Sequence, residues 1–84
     1  MPLYCVNRRS RSNGEHEVHN LDSGCPYLPD ILNQIPLGSH ETCTTALEAA
    51  SLLFETANGC YNCATACHAD PESRRGWAAR VLGD

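Results

Sequence analysis

Short apolar runs alternate with polar turns over the first part of the chain, and the period then changes. LYCVNR (residues 3–8) and EHEVH (residues 15–19) are short and β-prone, with Asn13-Gly14 between them. Both residues of an Asn-Gly pair tolerate positive φ, so strand-like runs on either side predict a β-hairpin. The polar stretch RRSRS adds loop to the tight turn, and His19 falls at the exit of the second strand. SGCPYLPDILNQIP follows, where Cys25, Pro26, Pro29 and Pro36 discourage regular structure. A short strand is expected around Gln34–Leu37.

From residue 39 the apolar positions recur at steps of three and four. Cys43, Ala46, Leu47, Ala50, Leu53, Phe54 and Ala57 draw one stripe, which predicts an amphipathic helix. Ser39 suits its N-cap, Glu41 its first turn, and Asn58-Gly59 its C-terminal stop. Asp70-Pro71-Glu72 offers a second helix start, with Trp77, Val81 and Leu82 as inward positions, although Gly76 weakens it. The pattern predicts an α+β fold: an N-terminal hairpin plus a short strand packed on one main helix. Residues 1–70 form one domain and 71–84 a C-terminal tail or short helix.

A chain of 84 residues buries little apolar surface and calls for a staple. Its six cysteines, at positions 5, 25, 43, 60, 63 and 67, could supply one. MPLYCVNRRSR has no apolar signal-peptide core, and no run has the length of a transmembrane span. The expectation is a cytoplasmic protein without membrane contact, in which clustered Cys and His bind metal or do redox work. Net charge is −4, and all six basic residues are arginines near the ends: Arg8, Arg9 and Arg11, then Arg74, Arg75 and Arg80. Nucleic-acid binders carry a basic face, so nucleic acid is not the favoured partner.

Residues 59–68, GCYNCATACH, concentrate the chemistry. Cys60-Tyr-Asn-Cys63 is a C-x-x-C, a spacing that grips one tetrahedral ion or cycles as a redox pair. Redox pairs open a helix that follows a strand, where the helix N-terminus lowers the thiol pKa. Here the motif is expected after a helix and a glycine turn, which favours a metal knuckle. The second ligand pair is His19 and Cys25, from the strand exit and the loop after it. Four soft or borderline ligands in two local pairs make a closed structural site for Zn2+ rather than a catalytic one. Cys67 and His68 compete for a place in the set. His16 and His40 read as ordinary residues, and Cys5 as core. Cys43 lies on the apolar stripe, and Cys43 with Cys67 is also a candidate disulfide.

EVHNLDSGCPYLP, IPLGSHETCTTALEAA and NGCYNC together resemble the Ada-type metal-binding domain, over Val18 to Cys63. The resemblance implies a hairpin bearing two ligands, a strand, a helix and then a Cys-x-x-Cys. Its four zinc ligands map to His19, Cys25, Cys60 and Cys63. The first pair here is spaced by five residues rather than about three, and His19 stands where the repair domain has Cys. NGEHEVH and NGCYNCATACH also resemble a set of small bacterial proteins of similar length. In the repair domain a zinc-bound cysteine accepts a methyl group beside a basic DNA-binding surface. This acidic chain has no such surface, so the resemblance implies the fold and the metal rather than the reaction.

No Ser-His-Asp or Cys-His-Asn order, paired carboxylates or phosphate-cradling loop can be argued. The sequence therefore predicts a zinc-binding structural or interaction module with a protein partner, not an enzyme. Its rivals are a thiol redox protein using Cys60 and Cys63, and a nucleic-acid accessory module.

Overall fold

The computed structural model describes residues 1–69. The expected second helix, Trp77 and the Arg74–Arg75–Arg80 cluster lie outside the described residues. Strands β1 (Leu3–Asn7) and β2 (His16–Asn20) pair antiparallel, with Cys5 opposite His19 and Val6 opposite Val18. The hairpin closes as the Asn13-Gly14 signal predicts: Gly14 has φ +87°, and its N–H donates to Arg11 O at 2.8 Å. The Asn13 side chain accepts from Glu15 N at 2.9 Å, an Asx turn that fixes the start of β2.

The Pro-rich loop contains a 3-10 turn at Ile31–Asn33 and leads into β3 (Gln34–Ser39), which pairs antiparallel with β1. Helix α1 spans Cys43–Ser51, and β4 (Ala57–Gly59) then pairs parallel with β2. Strand order is β3-β1-β2-β4, a mixed four-stranded sheet with one helix, and a last 3-10 turn covers Thr65–Cys67. The α+β class, the hairpin and the short third strand are as the sequence predicts.

The helix is shorter than its apolar stripe. Ser39 pairs with Leu3 at the end of β3, and His40 N–H continues that ladder to Pro2 O at 3.0 Å, so Thr42 rather than Ser39 is the N-cap. At the other end the chain leaves the helix after Ser51, and Leu53 is 55% exposed. Phe54 turns back to stack on His16, with ring centroids 3.7 Å apart. Asn58-Gly59 do not cap the helix, because β2 has a free edge whose backbone groups need partners. His16 N–H donates to Thr56 O at 3.2 Å and Cys60 N–H to Val18 O at 2.9 Å, which makes residues 57–59 a strand.

The core is thin. Val6, Val18, Ala46, Ala50, Ala57 and Ala64 cluster with Tyr4, Cys25, Cys43 and Cys60. Among the described residues the largest fully buried side chains are His19, Val6, Val18 and Cys5, of which two are apolar aliphatics. Among the described residues no helix is long and apolar enough to cross a membrane.

Candidate metal centre

His19 stands on β2, fully buried, in register with Cys5 on β1. Past the strand the chain folds over in a turn that delivers Cys25. Asp22 N–H donates to Asn20 Oδ1 at 2.9 Å, the Ser23 hydroxyl to Asn20 O at 2.7 Å, and Cys25 N–H to Ser23 Oγ at 3.2 Å. Gly24 supplies the left-handed step, with φ +73°. Cys60 follows β4 directly, and a turn closed by Ala64 N–H on Cys60 O (2.9 Å) carries Cys63 back over β2.

These elements bring the four sequence-derived candidates together. One ligand atom each from His19, Cys25, Cys60 and Cys63 lies within 4.8 Å of the other three. Cys25 Sγ is 3.9 Å from Cys60 Sγ, and Cys63 Sγ is 3.5 Å from His19 Nδ1. A tetrahedral ion with metal–sulfur bonds of about 2.3 Å and a metal–nitrogen bond of about 2.05 Å has S···S edges of about 3.8 Å and S···N edges of about 3.6 Å. The two distances between the pairs match those values. The four donor atoms lie close enough together to hold a metal ion.

The sulfurs are prepared for negative charge. Tyr27 N–H points at Cys25 Sγ (3.4 Å), Asn62 N–H at Cys60 Sγ (3.4 Å) and Asn20 N–H at Cys63 Sγ (3.3 Å), while the Asn62 amide reaches Cys25 Sγ at 3.3 Å. In two of the three cysteines the donor is the N–H two residues on, the turn that a C-x-x-C or C-P-x step makes when it wraps an ion. Burial pushes the Cys25 thiol up, but the Tyr27 and Asn62 donors and the neighbouring thiols outweigh it and bring it below its ordinary 9.0. Cys63 moves the other way, to about 12, because of burial and the charge of Cys60, with Asn20 N–H only partly offsetting them. Cys63 therefore sheds its proton less readily than a free thiol. A divalent cation among the three thiols removes that obstacle, since a coordinating thiol is deprotonated outright.

Burial lowers the His19 pKa below 6.5, partly countered by the charge of Glu17, so the ring is held neutral as a ligand must be. Its Nδ1 faces Cys63. Its Nε2 is buried without a hydrogen-bond partner, 3.7 Å from Glu17 Oε1.

The competing candidates are occupied elsewhere. Cys67 forms a disulfide with Cys43, joining the 3-10 turn behind the knuckle to the first residue of α1. His68 Nδ1 is 2.9 Å from Gly59 O and can only donate there. His16 Nδ1 likewise donates to Asn7 O at 2.9 Å, and His40 Nε2 to Leu37 O at 2.7 Å. Cys5 is buried beside the set but outside it, its thiol pushed up to about 11 by burial.

Cys60 follows a strand rather than the helix and glycine turn expected from the sequence, because β4 intervenes. The motif nevertheless opens no α-helix: residues 61–64 are turn and bend, so no helix N-terminus activates Cys60 as a redox thiol. Sequence reasoning missed Asn62 and the N–H donors. The Cys-x-Asn-Cys spelling was the available signal for the first; backbone donors leave none. A groove of about 460 Å³ borders the knuckles, lined by Arg11, Glu17, Tyr27, Cys60, Tyr61 and Asn62. No family model, no curated protein and no solved structure matches this chain.

Proposed function

We propose that this chain is a zinc-stabilised binding module in which Zn2+, held by His19, Cys25, Cys60 and Cys63, organises the fold. The observation that carries the reading is the two tetrahedral edges, 3.9 Å and 3.5 Å, between ligands drawn from distant parts of the chain. Three sulfurs and an imidazole suit zinc rather than the harder cations that prefer oxygen. All four positions of the tetrahedron come from the protein, which supports a structural role and a chain that acts by binding rather than by catalysis.

Magnitudes support the same assignment. A fully buried valine contributes about 1.5–3 kcal/mol, and the described residues include two. A structural zinc contributes about 10–16 kcal/mol of binding free energy at neutral pH. Zinc binding then outweighs the burial of both valines together. A protein partner fits the two exposed tyrosines on the knuckles, Tyr27 at 67% and Tyr61 at 72% exposure, since tyrosine is enriched where proteins meet. The Ada-type resemblance supports the same four ligands and the same ion.

Elemental analysis of protein purified without added metal tests the proposal. The expected content is about one zinc per chain. Less than about a third of an equivalent, with Cys25, Cys60 and Cys63 oxidised, would favour the thiol redox reading instead.

A further inference from the structure

We propose that Glu17 is the positioning residue for the metal-bound His19: its carboxylate accepts the Nε2–H and so fixes Nδ1 as the ligating nitrogen. This rests on the metal reading above and extends it to a residue outside the ligand set. Two observations carry it. His19 Nε2 is the one buried side-chain nitrogen or oxygen without a hydrogen bond among the described residues, and the side chain is 0% exposed. Glu17 Oε1 is the acidic oxygen that faces it, at 3.7 Å.

The geometry follows from the strand. Residues two apart on β2 share a face, so E-x-H places Glu17 and His19 side by side. A neutral imidazole carries its proton on one nitrogen only, and Nδ1 is the nitrogen that faces Cys63 Sγ and the other donors, so once a metal takes the Nδ1 lone pair the proton belongs on Nε2. A buried N–H without an acceptor is unfavourable. A side-chain adjustment of under about 1 Å brings Glu17 into hydrogen-bond range. Arg11 Nη1 holds the other oxygen, Oε2, at 3.5 Å, so the carboxylate is steadied from the hairpin loop while Oε1 is left for the histidine. Carboxylate–histidine–metal arrangements of this kind fix the tautomer and raise ligand basicity, and their loss lowers metal affinity about 10–100-fold.

The test combines zinc affinity with the tautomer of His19. Zn2+ affinity is measured by competition with a chromophoric chelator for the full chain, Glu17→Gln and Glu17→Ala, and nitrogen NMR of the zinc-loaded protein reports which ring nitrogen is coordinated. The expected result is Nδ1 coordination with a slowly exchanging Nε2–H in the parent chain. Glu17→Ala should lose about 10–100-fold in affinity, with the shape-preserving Glu17→Gln between the two. Should Glu17→Ala fail to fold, Glu17→Gln alone decides, through its affinity and the displaced Nε2–H resonance. Unchanged affinity in both variants, or coordination through Nε2, overturns the proposal and leaves the zinc reading standing. A parent chain that takes up no zinc overturns both.

Discussion

His19 Nδ1 and Cys63 Sγ meet at 3.5 Å although 44 residues separate them along the chain. One belongs to the strand of a hairpin and the other to a knuckle reached only after a third strand, a helix and a fourth strand. A metal bound here would tie together segments 44 positions apart. The first expectation follows from that span. Replacing His19, Cys25, Cys60 or Cys63 by Ala should release zinc and unfold the chain. His16→Ala and Cys5→Ala, which alter the sheet but not the donor set, should keep about one zinc per chain. Metal content and circular dichroism on the six variants check it, and full zinc in Cys25→Ala would refute the ligand set.

Gly59 leaves no room for a side chain. A Cβ there would lie 2.7 Å from Ala64 O and 2.8 Å from Cys67 C, both backbone atoms, and 2.9 Å from Cys67 Cβ. The Cys43–Cys67 bond restrains the Cys67 side of this contact. Gly59→Ala should therefore cost about 1–3 kcal/mol, measured by denaturant unfolding of the zinc-loaded protein. Gly14→Ala, with nothing within 4 Å, should show only the smaller cost of its φ of +87°.

The four-residue cluster was legible in the sequence because its parts are local: His-x5-Cys and C-x-x-C each come from one short segment. The hairpin was legible for the same reason, through Asn13-Gly14. The helix boundaries were not. Leu53, Phe54 and Ala57 continue the three-and-four spacing of the stripe by coincidence. Their fate is decided by the free edge of β2 and by His16, onto which Phe54 stacks. Ser39 reads as a cap only until β1 claims it as a ladder partner. Tertiary demand of that kind has no period. Glu17, by contrast, sat in plain view two residues before His19.

The disulfide and the metal should be separable. Cys43–Cys67 spans 24 residues, and neither of its sulfurs belongs to the four-residue cluster. A Cys43→Ala/Cys67→Ala double variant should keep its zinc and lose about 2–4 kcal/mol of stability. Zinc lost from that variant would mean Cys67 serves the metal after all.

Acid should act in one direction on both metal and fold. His19 has its pKa depressed from 6.5 by burial, so the unfolded chain binds the proton more readily than the folded one. The stability it contributes is present above about pH 6.5 and is lost as pH falls below that value. Protons also compete for the three thiolates, so zinc release and unfolding should share one pH midpoint. Asn62→Ala removes a donor that favours the Cys25 thiolate, and should move that midpoint upward. A midpoint that stays put would leave Asn62 without an electrostatic role.

Removal of the metal tests the central claim most directly. Helix α1 has nine residues, below the roughly 12–15 at which an isolated helix is even marginal in water. Its support is the sheet, and the sheet's last strand runs straight into the knuckle. Titration with a strong chelator, under mild conditions that keep Cys25, Cys60 and Cys63 reduced, is followed by far-ultraviolet circular dichroism and tyrosine fluorescence. If the metal organises the fold, helical and tertiary signals should vanish in a single transition that tracks zinc loss, and return when zinc is restored. Helical dichroism that persists unchanged after all zinc is gone would contradict the account.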